Sequence, residues 1–83
     1  MAHMPMDDAV LLFNDNKYRT WSGLEHVLQQ RKGKAEGISD TLISMLMPMV
    51  HDMAQSGLPY PNSAKELSEE LNKRLEKMPA SAR

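Results

Sequence analysis

The sequence predicts a small α+β domain, an N-terminal β-hairpin followed by three helices, on three observations. Bulky apolar and aromatic residues flank an Asn/Asp cluster near the N-terminus. Downstream, apolar residues recur every three or four positions, the spacing of one helix face. Serines at 22, 39 and 63 stand where three such helices would begin.

The hairpin is read from Val10, Leu11, Leu12 and Phe13 on one side of Asn14, Asp15 and Asn16, and Lys17, Tyr18, Arg19, Thr20 and Trp21 on the other. Val, Phe, Tyr, Thr and Trp suit a pleated, half-buried surface, and Asn and Asp tolerate the positive φ of tight turns. A two-residue turn at Asp15 and Asn16 would set Phe13 against Tyr18 and Leu11 against Thr20. The competing reading starts a helix at Asp7 or Asp8 and carries residues 9–13 on it, which turns the domain into an all-helical bundle.

The first predicted helix covers residues 22–32. Ser22 and Glu25 have the spacing of a capping box, with Thr20 as a rival cap, and Leu24, Val27 and Leu28 share one face. Gly33 and Gly37 then bracket a polar loop. The second helix opens at Ser39, has Asp40 in its first turn where negative charge suits the helix dipole, and ends at Gly57. Its apolar arc, widened by Met45 to about 200°, is more than two shorter helices and one hairpin readily cover, which leaves a remainder for a second copy. Pro48 falls on the opposite side, where a proline bends a helix around its core. The third helix follows the stiff stretch Leu58, Pro59, Tyr60, Pro61, Asn62: Ser63 and Glu66 repeat the capping pattern, and Pro79 stops the helix after Met78. The predicted core is Leu12, Trp21, Leu24, Val27, Leu28, Leu42, Ile43, Leu46, Val50, Met53, Leu67, Leu71 and Leu75.

Eighty-three residues suit one domain, expected over 6–79. Residues 1–5 read as a remnant of cloning and a disordered N-terminus, because His3 and Met4 match a common vector junction, and residues 80–83 are expected to fray. The chain has no cysteine, which removes disulfides and thiolate metal sites and fits a reducing compartment; the cytoplasm is the expected location. Ten basic and eleven acidic side chains leave a net charge of −1, without the positive field of a protein that coats nucleic acid. No run of roughly 18 apolar residues predicts a membrane span.

Nothing local has the pattern of catalysis. A nucleophile needs a base within hydrogen-bonding reach, and neither a Gly-x-Ser-x-Gly elbow nor a His pair at ligand spacing occurs, so no catalytic residue, cofactor or metal is expected. His51 and Asp52, adjacent on a helix, diverge by about 100°. The unusual feature is methionine: eight in all, with Met45, Met47, Met49 and Met53 on one helix. Methionine fills irregular cores and also suits surfaces that adapt to a partner. Met45 and Met49, at the edge of the arc, with Tyr18 on the hairpin, are the candidate protein-interface residues. The expected function is therefore a non-enzymatic regulatory or adaptor protein that binds another protein and itself as a homodimer. The alternative is a DNA-binding regulator that presents Lys17, Arg19, Arg31, Lys32 and Lys34 to phosphates.

Overall fold

The computed structural model describes residues 3–34 and 38–77. Four helices make up the domain: α1 (Met6–Asp15), α2 (Trp21–Arg31), α3 (Asp40–Ser56) and α4 (Ala64–Lys77). No strand occurs among the described residues, so the expected N-terminal β-hairpin is absent and the class is all-α rather than α+β. Residues 10–13 are helical, and the pairings Phe13 with Tyr18 and Leu11 with Thr20 do not form: Tyr18 is 76% exposed, while Phe13 is buried. Two effects defeat the hairpin. Pro5 caps a helix whose first turn carries Asp7 and Asp8, and its carbonyl accepts the Asp8 and Ala9 N–H groups. Ala9, Leu12 and Phe13 then fall on one helical face and are all buried, a face that an alternating strand would have split between core and solvent.

The Asn/Asp cluster does make a turn, but between helices. The Asn16 N–H closes α1 on the Leu12 carbonyl, and its fully buried side chain donates from Nδ2 to the Thr20 carbonyl at 2.9 Å. Arg19 between them adopts φ 53°, which a non-glycine residue enters only at a cost. Thr20, not Ser22, caps α2: its Oγ1 accepts the Gly23 N–H at 3.0 Å. In α3, Ser39 Oγ accepts the Leu42 N–H, Gly57 ends the helix at φ 71°, and the helix continues unbroken through Pro48, which faces outward. Ahead of α4, Ser63 Oγ accepts the Glu66 N–H, and the Glu66 carboxylate reaches back to the Asn62 N–H, one residue before the cap. The stop at Pro79, the fraying of residues 80–83 and the Ala35 to Gly37 part of the polar loop lie outside the described residues.

The helices pack as two pairs, α2 along α3 and α1 along α4, joined by smaller α1–α2 and α3–α4 contacts. Every residue assigned to the core from the sequence is buried, and Met4, Ala9, Phe13 and Ile38 join them. Met4 lies outside the domain boundary expected at residue 6, yet its side chain is fully buried. Its backbone is held at two points by one amide: the Met4 N–H donates to Asn72 Oδ1 at 2.6 Å, and Asn72 Nδ2 donates to the Met4 carbonyl at 3.1 Å.

The connectors meet in an aromatic cluster. Tyr60 stacks on Phe13 with ring centroids 6.1 Å apart and meets Trp21 edge-on at 5.0 Å, Trp21 Nε1–H donates to the Pro59 carbonyl, and the Arg19 guanidinium lies 4.0 Å over the Phe13 ring. Burial pushes the Tyr60 phenol above its usual range, against smaller opposing effects of the Asn16 side chain and the Arg19 charge. The Tyr60 hydroxyl and Asn16 Oδ1 are both buried without a hydrogen-bond partner of normal geometry.

Two outcomes are expected. A Cβ at Gly23 would overlap Asn16 Oδ1 and lie 3.0 Å from the Tyr18 Cβ. Gly23→Ala should therefore lose about 1–3 kcal/mol in urea unfolding, overriding the roughly 1 kcal/mol that alanine gains in a helix. Asn16→Ala should cost less in that background than in the wild type. For Tyr60→Phe, removal of an unpaired buried hydroxyl should leave stability unchanged or raised at neutral pH. Because the folded phenol titrates above the unfolded one, the wild type should lose stability as the pH rises past about 10, a loss the phenylalanine chain lacks.

Candidate functional site

α3 is covered unevenly. Its packing on α2 is extensive and is reinforced at the rim, where His51 Nδ1 meets Glu25 Oε2 at 2.8 Å. Its contact with α4 is small. Met45, Met47 and Met49 pack on the core but stay only half-buried, and Pro48 is exposed between them. The two methionines singled out from the sequence are thus part core, part surface.

Met45 also forms one wall of a depression of about 420 Å³ between the start of α1 and the start of α3. Pro5, Leu42 and Met45 supply apolar surface; Asp8, Ser39 and Thr41 supply polar groups, and His3 borders it. Asp8 is 8% exposed, and its carboxylate has no hydrogen-bond or ion-pair partner among the described residues. Burial, and secondarily the charge of Asp7, raises its carboxyl above the usual carboxylate range. The sequence offered one signal for this residue, the run Pro5, Met6, Asp7, Asp8 that marks a helix start. It gave no sign that Asp8 would face inward while Asp7 faces water.

Tyr18 does not join this surface. It stands three residues beyond the end of α1, beside a second hollow lined by Asp15, Lys17, Gly23, His26, Val27 and Gln30. The ten-residue α1 separates it from the Asp8 end by roughly 15 Å. The candidate nucleic-acid residues are divided as well. Arg31 binds Asp15 through Nε at 2.7 Å and Nη2 at 2.5 Å, which brings it to the end of α1 near Lys17 and sets a carboxylate against its charge. Arg19 lies over Phe13, while Lys32 and Lys34 are exposed beyond the end of α2. A third hollow, about 510 Å³ between residues 59–62 and α4, is lined by Glu66, Glu69, Glu70 and Lys73, with Glu70 engaged by Arg74 and Glu66 by the Asn62 N–H.

Among the described residues no group of three or more His, Cys, Asp or Glu side chains could hold a metal ion, and no helix is long and apolar enough to cross a membrane. No protein-family model, curated protein or solved structure matches the chain.

The Asp8 environment has a measurable consequence. A carboxyl whose folded pKa lies above its unfolded value destabilises the fold where it is ionised, and that loss is recovered as the pH falls through the folded pKa. Asp8→Asn should therefore melt above the wild type at pH 7, with the difference shrinking toward pH 3 in thermal unfolding followed by circular dichroism.

Proposed function

We propose that this chain is a small, non-enzymatic regulatory or adaptor protein of the cytoplasm that acts by binding another protein through the flank of α3 that carries Met45 and Met49. The observation behind this is the half-buried state of those two methionines on α3, a helix whose contact with α4 is small. Methionine side chains pay little for repacking against a new surface, since they are unbranched and polarisable. Pairing of α3 with the same helix of a second copy is the simplest geometry for such a flank. Against that geometry stands its charge: α3 carries Asp40 and Asp52 and no lysine or arginine, so two copies would bring like charges together.

Nucleic-acid binding through Lys17, Arg19, Arg31, Lys32 and Lys34 has weaker support. Arg31 already faces Asp15 and Arg19 lies on an aromatic ring, so part of that set is directed at the protein itself.

Light scattering on the wild type and on a Met45→Glu, Met49→Glu chain tests the proposal, with circular dichroism as the check on folding. The variant is expected to remain a folded monomer. If the wild type is a dimer, that result places self-pairing on the flank; if the wild type is a monomer, the flank is left for a different protein. A variant that unfolds would make both methionines core and sink the proposal.

A further inference from the structure

We propose that the depression between the starts of α1 and α3 is a receptor for one arginine or lysine side chain of a different protein. This rests on the flank of α3 being a contact surface, and it names the chemistry that such a partner presents.

The depression joins two features that a long basic side chain satisfies together. Asp8 is more than nine-tenths buried, lines the depression and lacks a partner among the described residues. A carboxylate largely withdrawn from water and bonded to nothing among these residues is an open acceptor, and a guanidinium or ammonium offers it a charge-assisted bond. Leu42, Met45 and Pro5 line the same space, where the methylene stem of Arg or Lys can lie while its charged end reaches the acid. The volume, about 420 Å³, lies within the usual range for a ligand pocket. No lysine or arginine lines the space, and α1 and α3, which build most of it, contain five aspartates and neither basic residue. Of the groups that line it, His3 alone can carry a positive charge, and it makes no hydrogen bond or ion pair with Asp8.

Other occupants fit less well. Two helix starts would favour an anion, but Asp7, Asp8 and Asp40 already hold negative charge there. A metal ion would need more carboxylate or imidazole ligands than are gathered here. A second copy of the chain is disfavoured in a two-fold pair, where the acids of α1 and α3 would meet their own images. A head-to-tail self-contact would fail to close and would appear as mass that grows with concentration.

The test is a two-dimensional ¹H–¹⁵N NMR titration of the folded chain with n-butylguanidinium, a guanidinium on a four-carbon apolar stem, and with neutral butylurea as the control. The wild type and Asp7→Asn should show saturable shifts at Asp8, Thr41, Leu42 and Met45 with n-butylguanidinium and none with butylurea. Asp8→Asn should weaken n-butylguanidinium about tenfold or more, as loss of a charge-assisted bond requires. The absence of saturable shifts in the wild type, an equal response from Asp8→Asn, or an equal response to butylurea would each overturn the inference. Failure here is distinct from failure of the contact surface. An unfolded Met45→Glu, Met49→Glu chain removes the surface, whereas a folded wild type indifferent to n-butylguanidinium removes only the receptor.

Discussion

The packing of Trp21 and Tyr60 is the contact on which the rest of the arrangement depends. Each residue sits at a connector: Trp21 opens α2 directly after the turn from α1, and Tyr60 lies between α3 and α4. Edge-to-face packing of the two rings, the Trp21 hydrogen bond to Pro59 and the stacking of Tyr60 on Phe13 fix the two turns against each other. Aromatic pairs of this kind contribute about 0.5–1.5 kcal/mol beyond the area they bury. Their larger effect is geometric. With both turns pinned at one place, α2 is directed along α3 and α4 along α1, and leucines at 24, 28, 67, 71 and 75 are buried in the common core.

The helices after residue 20 were legible because each combines a start signal with an apolar period that agrees with it. Ser39 and Gly57 bracket α3 as expected, and Ser63 opens α4. Residues 10–21 misled because local composition favoured a strand while long-range burial favoured a helix. Leu12 and Phe13 gain by facing α4 and Tyr60, which lie some 50 residues away and are invisible to any local pattern. The displaced cap has the same origin: Thr20 holds the end of α2 because Asn16 and Gly23 pack around it, and only the folded turn shows that packing.

The candidate surface was legible in part. Met45 and Met49 were found by counting residues around a helix, and their half-buried state fits their place at the edge of a broad arc. Asp8 was not found, because a helix-start aspartate is ordinarily solvated and the way α1 turns is set by its packing on α4, which is remote in sequence. Tyr18 was selected as part of a hairpin; with the hairpin gone, it belongs to a different end of the molecule. The methionine flank and the depression share Met45, so half-buried apolar surface and the Asp8 carboxylate lie side by side.

The two-point grip of Asn72 on Met4 also bears on the order in which the molecule assembles. It joins residues 68 positions apart, whereas α2 and α3 are neighbours in the chain. Contacts that close long loops form late, because the entropy of closure is lost before the contact returns anything. The α2–α3 pair thus closes the shorter loop, while most of the contacts of α1 are made with α4 at the other end of the chain. Pro5 and Asp8 belong to the long-range pair and Leu42 and Met45 to the local one, so the depression exists only in the fully assembled chain. A local opening that releases α1 would dismantle it while leaving α2 and α3 paired.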